Sequence, residues 1–290
     1  MTSLPRIVVV GGHGKVALHF ARLASPSFSV HSLVRTQDHF ADLESAGAKP
    51  VLLSLEEASV ADLSAAFKGA QGVLFSAGSG GKGGPERTKK VDEEGAIKVM
   101  DAIEQLEGEK PKFVLVGAID TRDMSKPPPS YYTEADIAES KKTHDAIPAY
   151  YDAKLHADRS LHQRTAFPWV ILRPGWLTED APTGKVRLGR TGWGGVSRAD
   201  VAATLLALFR LPSSGAGSGS SLALDLIQGT DSDVPIEQAI KEAVEKGIWQ
   251  FVIARAMPTM FVSMKADVPC FFFASGSVLG FFFVYFARDP

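Results

Sequence analysis

The sequence has only one cysteine and a small net charge. The single cysteine, Cys270, excludes an internal disulfide framework and a cluster of thiolate metal ligands. A net charge of −2, without a run of five Lys or Arg residues, argues against a nucleic-acid partner. No secretory signal opens the chain, because the apolar run Ile7–Val10 is short and leads directly into glycines. No His, Asp and Glu residues have the spacing of metal ligands, so we expect a cytoplasmic protein without a metal site.

Apolar runs and helical segments alternate along most of the 290 residues. Several runs are continuously apolar, as expected for strands that helices cover on both faces. This alternation predicts an α/β fold with a doubly wound parallel sheet. The predicted strands are Ile7–Val10, Phe28–Val34, Pro50–Ser54, Gly72–Ala77, Phe113–Val116, Trp169–Leu172 and Leu222–Ile227. The clearest predicted helices are Arg87–Gln105, Tyr151–Thr165, Arg198–Phe209 and Pro235–Lys246.

The last part of the chain departs from this alternation, so we predict a domain over 1–247 and an apolar tail over 248–290. Within the tail, Val268–Ala287 is a stretch of twenty uncharged residues. As a helix it would be long enough to span the roughly 30 Å hydrocarbon core of a membrane. Three interpretations stay open: a C-terminal membrane anchor, a hydrophobic cover packed on the domain or on the second subunit of a homodimer, or a wrongly assigned end of the gene.

A glycine-rich segment follows the first predicted strand directly. It fits two dinucleotide-binding spacings, Gly12-x-Gly14-x-x-Ala17 and Gly11-x-x-Gly14-x-x-Ala17. Glycines allow the backbone to approach a pyrophosphate closely, and the N-terminus of the following helix offers free N–H groups and a positive dipole end. The segment therefore predicts a phosphate-binding loop for a dinucleotide cofactor. Any tight turn from strand to helix is the alternative.

Arg35 closes the second predicted strand, where a dinucleotide fold reads the adenosine ribose. An acidic residue there selects a free 2′-hydroxyl, whereas the guanidinium fork matches a 2′-phosphate. Arg35 thus favours NADP(H) over NAD(H), the alternative being a solvated arginine at a strand end. After the fourth predicted strand, the small residues Ala77 and Gly78 leave room for the adenosine half of the cofactor.

Tyr150 and Lys154 have the i, i+4 spacing that places two side chains on one face of a helix. A nearby ammonium favours the phenolate, so we expect the pKa of Tyr150 to be lowered toward neutral pH. Tyr150 could then exchange a proton with a substrate oxygen while hydride moves at a nicotinamide. Lys154 could also hold the ribose hydroxyls, and we expect Tyr151 to be a packing residue.

Four segments occur in an order that resembles the atypical short-chain dehydrogenase/reductases, the NmrA-like NAD(P)-binding group. They are Gly-Gly-His-Gly-Lys-Val-Ala, Tyr-Tyr-x-Ala-Lys, Leu-Arg-Pro-Gly-Trp-Leu-Thr and Val-Ser-Arg-Ala-Asp-Val-Ala. The resemblance implies a Rossmann fold with a small C-terminal substrate lobe, formed mainly by residues 119–149 and 176–196. It also implies an NADP-dependent oxidoreductase that acts on a small carbonyl or alcohol.

The same resemblance assigns roles to individual residues. Tyr150 and Lys154 become the catalytic pair, Arg35 meets the 2′-phosphate, and Pro174 and Gly175 lie against the nicotinamide. The full set of expected cofactor-binding residues is Gly11, Gly12, His13, Gly14, Lys15, Val16, Arg35, Ser54, Leu55, Ala77, Gly78, Lys154, Pro174 and Gly175.

Two positions depart from the family pattern. The serine expected just after the fifth strand is replaced by Gly117 and Ala118, and Thr121 is the nearest hydroxyl. The acidic residue that often ends the third strand is also absent, which leaves Ser54 to meet the adenine. A missing donor at a developing oxyanion can cost about 10²–10³ in rate. A second hypothesis therefore stays open, an NADP(H)-binding sensor or regulatory protein without turnover.

The remaining polar candidates are expected to be structural. We predict that His13 lies beside the phosphates and that His144 lies on the surface. Asp92 and Glu93 are predicted to be solvated residues of a long helix rather than an acid/base pair.

Overall fold

A computed structural model describes residues 3–212 and 222–245, which contain ten strands and nine α-helical segments. The strands are β1 (Arg6–Val10), β2 (Ser29–Val34), β3 (Lys49–Leu52), β4 (Gly72–Phe75), β5 (Lys112–Val116), β6 (Trp169–Pro174), β7 (Trp176–Thr178), β8 (Val186–Gly189), β9 (Gly195–Ser197) and β10 (Leu222–Gln228). The helices are α1 (Lys15–Ala24), α2 (Phe40–Ser45), α3 (Val60–Phe67), α4 (Gly84–Thr88), α5 (Gly95–Glu104), α6 (Glu134–Ala146), α7 (Pro148–His162), α8 (Arg198–Arg210) and α9 (Ile236–Glu245).

Eight of the strands form one central sheet in the order β3-β2-β1-β4-β5-β6-β10-β8. All neighbours pair in parallel except β10 and β8, which are antiparallel. The order confirms the predicted doubly wound sheet of Rossmann type. The strand order reverses between β1 and β4, and a ligand crevice is expected beyond the carboxyl ends of these strands.

Helices cover both faces of the sheet, which explains the continuous apolar runs of central strands such as Ile7–Val10 of β1. Along β1, successive side chains point to opposite faces. Val9 belongs to the same apolar cluster as Phe20 of α1, whereas Val8 belongs to the cluster that contains Phe67 of α3. A strand buried on both faces in this way needs apolar residues at every position.

All seven predicted strands and three of the four predicted helices are present, with ends shifted by a few residues. The strand predicted over Gly72–Ala77 ends at Phe75, and the helix predicted from Tyr151 already begins at Pro148. Helices α2, α3 and α6 were not predicted from the sequence. Two of these begin with capping boxes, Ser59 with Asp62 at α3 and Thr133 with Asp136 at α6, so a signal was present.

The predicted helix Arg87–Gln105 is interrupted in the structure. Between α4 and α5 the chain forms a wider π-helical turn over Lys89–Glu94. Such turns are rare and frequently occur at functional sites. Here the turn contains Asp92, which is buried.

The two ranges predicted for the substrate lobe differ in structure. Residues 119–149 contain α6, whereas residues 176–196 contain β7, most of β9 and β8. β7 and β9 form a separate two-stranded sheet, while β8 joins the edge of the central sheet through β10.

The apolar tail 248–290 and its segment Val268–Ala287 lie outside the described residues. Within residues 3–212 and 222–245, no helix combines the length and the apolar character needed to cross a membrane.

Gly175 joins β6 to β7 at a point of very close backbone approach. Its N–H donates to the carbonyl oxygen of Leu226 at 2.9 Å. A Cβ added at this glycine would lie 1.8 Å from the carbonyl oxygen of Gly194. The absence of a side chain is therefore a packing requirement of the fold, in addition to any contact with a cofactor.

We predict that Gly175→Ala lowers the free energy of unfolding by about 3 kcal/mol or more, because overpacking against backbone has no easy relief. Gly117→Ala is the matched control. Its added Cβ would lie 3.2 Å from side-chain atoms of Arg173 and Ile171, so a loss below about 1.5 kcal/mol is expected. Urea unfolding of both variants makes the comparison. Equal losses would contradict the proposed backbone clash.

Candidate functional site

Two adjoining cavities lie beyond the carboxyl ends of β1, β4, β5 and β6. The larger, about 850 Å³, is lined by residues that include Lys15, Tyr150 and Lys154. The smaller, about 320 Å³, is lined by residues that include Arg35 and Ser54. They share a wall that includes Gly14, Ser76, Ala77 and Gly78. The pair forms an elongated crevice at the point where the strand order reverses, where dinucleotides bind in this architecture.

The glycine loop forms the floor between the two cavities. Gly11 adopts φ +81°, and a Cβ there would lie 2.5 Å from the Cα of Ala77. The N–H of Gly14 donates to the carbonyl oxygen of Gly11 at 3.0 Å. No side chain caps the N-terminus of α1 and no acidic residue occupies its first turn. The loop and the helix end thus fit a diphosphate, through a close backbone approach and uncapped N–H groups.

Lys15, at the start of α1, reaches across the larger cavity. Its Nζ lies 2.5 Å from Oε1 of Glu179, and the same oxygen accepts from Arg198 at 3.0 Å. The side chains of Lys15 and Glu179 are both more than half exposed. A pair of this exposure contributes little to stability, so an entering phosphate could displace Glu179 from Lys15 at small cost.

The smaller cavity combines three cationic side chains, Arg35, Lys82 and Arg87, with one carboxylate. Glu56 accepts from Arg87 at 2.9 Å and lies 3.6 Å from Nη1 of Arg35. The hydrogen bond from Arg87 is the main cause of a lowered pKa of Glu56. Glu56 lies four residues beyond the end of β3, whereas an acidic residue was expected at the end of the strand itself. Glu56 was therefore not predicted from the sequence. Arg35 keeps more than half of its side chain exposed.

His13 lines the smaller cavity and stacks on His39, with ring centroids 3.6 Å apart and planes 6° apart. Its Nε2 lies 2.8 Å from Oδ2 of Asp42. Burial, with the neighbouring His13 and Arg35, lowers the pKa of His39. The structure thus places His13 in the cavity that contains Arg35.

Tyr150 and Lys154 both line the larger cavity from α7, and Nζ of Lys154 lies 5.4 Å from the centre of the Tyr150 ring. Burial raises the pKa of Tyr150, and the lowering effect of Lys154 does not overcome it. The expected shift toward neutral pH is therefore wrong in direction. At neutral pH the phenol carries its proton.

Tyr151 is buried and stacks on His144 with centroids 3.9 Å apart, as expected for a packing residue.

Lys154 forms a buried ion pair with Asp92, which corrects the prediction of a solvated Asp92. Lys154 is 4% exposed and Asp92 is 1% exposed, and Nζ lies 3.1 Å from Oδ1. Asp92 also accepts from the N–H of Ser79 at 2.9 Å, and Lys154 donates to the carbonyl oxygen of Val116 at 3.4 Å. Glu93 pairs with the half-exposed His156 at 3.1 Å, and its own side chain is only 16% exposed, so the prediction of a solvated residue is wrong for Glu93 as well.

The charge of Lys154 depends on its neighbours. Burial alone would lower the pKa of Lys154, but Tyr150 and Asp92 raise it, and the net shift is upward. The ion pair's contribution to stability is therefore fully present below the ordinary lysine pKa of about 10.4. It is lost only as the pH rises through the raised value. Lys154 is thus a permanent cation at neutral pH.

The chain after β5 offers no hydroxyl to the larger cavity at the position of the family serine. Gly117 and Ala118 line the cavity there. The hydroxyl of Thr121 is buried and donates to the carbonyl oxygen of Ala118 at 2.7 Å. A side chain at Gly117 would point toward Arg173 and Asp158.

His144 is buried, which corrects the prediction of a surface residue. Its Nε2 lies 3.2 Å from Oδ2 of Asp120, a residue with φ +58°. Asp120 also accepts from Arg122 at 2.7 Å and from the hydroxyl of Tyr132 at 3.0 Å. This network ties α6 to the chain that follows β5, and so fixes one wall of the larger cavity.

The expected site residues converge on the crevice. The larger cavity is lined by Lys15, Val16, Tyr150, Lys154, Pro174 and Gly175, the smaller by Gly11, His13, Arg35, Ser54 and Leu55, and both by Gly14, Ala77 and Gly78. Among the expected site residues, Gly12 is the one that lines neither cavity. Its N–H donates to the carbonyl oxygen of Leu33 at 3.1 Å.

The sheet order and the glycine loop together define a Rossmann-type nucleotide-binding protein. A family model described as NAD(P)H-binding matches residues 11–212, and the chain belongs to this family. The match confirms the resemblance to atypical short-chain dehydrogenase/reductases and the prediction of an NAD(P)H-binding domain.

The chain matches three similar proteins over nearly the whole length of each. The UPF0659 protein C216.03 of Schizosaccharomyces pombe is 43% identical, over 83% of this chain and 95% of its own. A Bacillus subtilis protein named uncharacterized sugar epimerase YhfK is 31% identical, over 82% of this chain and 99% of its own. A solved Bacillus halodurans protein, named as an NAD-dependent epimerase/dehydratase, is 27% identical with a TM-score of 0.66, over 82% of this chain and 99% of its own.

We predict that Asp92→Asn lowers the free energy of unfolding by about 3–5 kcal/mol, because it leaves a buried ammonium without its counter-charge. The double variant Asp92→Asn/Lys154→Met should recover much of that loss, since both charges are then removed. Glu94→Gln, an exposed carboxylate of the same turn, is the control and should change stability by less than about 1 kcal/mol. Thermal and urea unfolding measure these three variants and Lys154→Met alone, which the test of additivity requires. Strictly additive losses in the double variant would show that the two charges are not coupled.

Proposed function

We propose that this protein is an NADP(H)-dependent oxidoreductase that acts on a small carbonyl or alcohol substrate. The observation that carries the proposal is the position of Tyr150 and Lys154. A protonated phenol and a permanently charged ammonium share one wall of a cavity whose floor is the phosphate-binding loop. Proton donor, cation and cofactor loop are the parts that reduction of a carbonyl requires.

The residues of the crevice fit an NADP(H) cofactor in an extended pose. The uncapped end of α1 and the loop from Gly11 to Gly14 would hold the diphosphate. Arg35 would meet the 2′-phosphate in the smaller cavity, and Lys154 would hold the ribose next to the nicotinamide. When bound, the reduced cofactor supplies the hydride.

Tyr150 supplies the proton in this scheme. Its raised pKa keeps the phenol protonated at neutral pH, so it acts as a general acid toward a carbonyl oxygen. The phenolate that remains is stabilised by the ammonium of Lys154 until a proton returns from solvent. Asp92 supports this step indirectly, because it holds Lys154 in place and keeps it charged.

The absence of the family serine supports a second candidate function, an NADP(H)-binding sensor without turnover. Gly117 and Ala118 present no donor to a developing oxyanion, and Thr121 is bonded elsewhere. The missing donor can cost about 10²–10³ in rate. Tight NADPH binding by the wild type, without oxidation of NADPH by any aldehyde, ketone or quinone, would favour the sensor.

For cofactor choice, we predict that Arg35→Asp weakens NADPH binding at least about tenfold. A charge-assisted contact with phosphate is worth about 1.5–3 kcal/mol, and the new carboxylate would also lie near Glu56. NADH binding should change little. Arg22→Asp, on the exposed end of α1, is the charge-matched control. Dissociation constants from nucleotide fluorescence measure the effect. Equal affinity of the wild type for NADH and NADPH would refute the assignment to NADP(H).

For catalysis, we predict that Tyr150→Phe lowers kcat by about 10²-fold or more, the usual contribution of a general acid, while leaving NADPH affinity within about threefold. Tyr151→Phe is the matched control and should be nearly silent, because Tyr151 serves packing. Steady-state oxidation of NADPH at 340 nm gives the rates. If Tyr151→Phe is the damaging change, the roles are reversed. If neither variant changes a measurable rate, Tyr150 is not the acid.

A further inference from the structure

Exposed apolar side chains line the larger cavity. Nine large apolar residues of the described chain are exposed, and three of them, Ile147, Trp176 and Leu177, line this cavity. Ile147 comes from the junction of α6 and α7, whereas Trp176 and Leu177 belong to β7. Two remote parts of the chain thus bring apolar surface to the place beside Tyr150. Exposed apolar surface in a concave site marks a binding surface.

Trp176 is the largest of these residues, and 54% of it is exposed. It is paired across the small sheet with Gly195. A Cβ at Gly195 would lie 2.4 Å from Nε1 of Trp176, so the indole occupies space that any other residue would fill. The backbone of β9 therefore supports the ring, and the exposed part of the ring is available to a ligand in the cavity.

The surroundings of Trp176 extend the same apolar surface. Ile119, Ala146 and Trp193 line the cavity as well. The N–H of Trp193 donates to Oδ1 of Asp136 at 2.7 Å, which anchors its loop to the first turn of α6. The apolar wall is therefore held in place before a ligand arrives.

Two polar side chains that line this cavity, Arg198 and Thr143, are already bonded to the protein. The buried Nε1 of Trp193 has no hydrogen-bond partner among the described residues and could donate to one ligand oxygen. Arg198 donates to the carbonyl oxygen of Leu177 at 3.3 Å and to Glu179 at 3.0 Å. Thr143 donates to Glu139 at 3.5 Å. A sugar would bury several hydroxyls against indole and aliphatic carbon here, and buried polar groups without partners cost affinity. A flat aromatic ligand has no such cost and gains stacking on the indole.

We propose that the substrate of this site is a planar aromatic carbonyl compound that stacks on Trp176, rather than a sugar. The inference rests on the proposed function and names its substrate class. In the reduction, the carbonyl carbon receives one hydride from the bound reduced cofactor, and the carbonyl oxygen receives one proton from Tyr150. The C=O π bond breaks, one C–H and one O–H bond form, and the products are an alcohol and the oxidised cofactor.

The test uses 2-naphthaldehyde as the probe and the full-length protein saturated with NADP⁺. Calorimetry measures its dissociation constant for the wild type, Trp176→Ala, Trp176→Leu and Trp176→Phe. We expect Trp176→Ala to raise the dissociation constant at least about tenfold, because most of the stacking area is lost. Trp176→Phe should stay within about threefold, and Trp176→Leu should fall between them, because it keeps apolar area without a flat face. Leu23→Ala, an exposed apolar residue of α1 outside both cavities, is the control and should bind like the wild type.

Two results would overturn the inference. One is tighter binding of UDP-glucose than of 2-naphthaldehyde, and the other is no effect of Trp176→Ala on the affinity for naphthaldehyde. Measuring NADPH oxidation distinguishes failure of the aromatic-substrate proposal from failure of the proposed oxidoreductase function. Reduction of aliphatic aldehydes without binding of naphthaldehyde refutes the aromatic substrate and leaves the oxidoreductase standing. Trp176-dependent binding without oxidation of NADPH by any carbonyl refutes the oxidoreductase and leaves an aromatic ligand site.

Discussion

The buried ion pair between Lys154 and Asp92 holds the candidate site together. It joins α7 to the π-helical turn that follows α4, and through the bonds to Ser79 and Val116 it reaches the ends of β4 and β5. Two charges at 4% and 1% exposure are stable only as a pair, because either one alone would be uncompensated in the interior. The position of Tyr150, one helical turn before Lys154, is fixed by the same contact. The same ion pair therefore determines both the position of Tyr150 and the charge beside it.

The two cavities differ in chemistry, and this difference fixes the direction in which a dinucleotide would lie. The smaller cavity has Arg35, Lys82 and Arg87 around the single carboxylate of Glu56, which suits a phosphorylated ribose. The larger cavity has an apolar wall beside Tyr150, which suits a nicotinamide and an uncharged substrate. The glycine loop between them would supply backbone N–H groups to the diphosphate. Each part of the cofactor therefore meets the chemistry that matches it in only one orientation.

Local patterns in the sequence were enough to predict the sheet, since β1 is apolar from Ile7 to Val10 and the glycine loop follows at once. They were also enough to assign Tyr150, Lys154 and Arg35 to the crevice at the carboxyl edge of the sheet, where the first two line the larger cavity and Arg35 lines the smaller one. They failed for Asp92 and His144, whose polarity indicates a solvated position until a remote partner is known. Lys154 and Asp120 provide those partners through tertiary packing. The π-helical turn that carries Asp92 has no signature in residue type or periodicity.

Cofactor binding and turnover depend on different parts of this molecule, which is why they must be judged apart. Binding depends on the glycine loop and the smaller cavity, where close backbone contacts and cationic side chains act together. Turnover depends on what surrounds the reacting oxygen, and at the position of the family serine Gly117 offers no hydroxyl; a side chain there would point toward Arg173 and Asp158. Without that donor, orientation of the substrate would depend more on the rest of the cavity wall. The supported indole of Trp176 belongs to that wall, so shape and apolar contact would contribute to deciding which carbonyl reaches Tyr150.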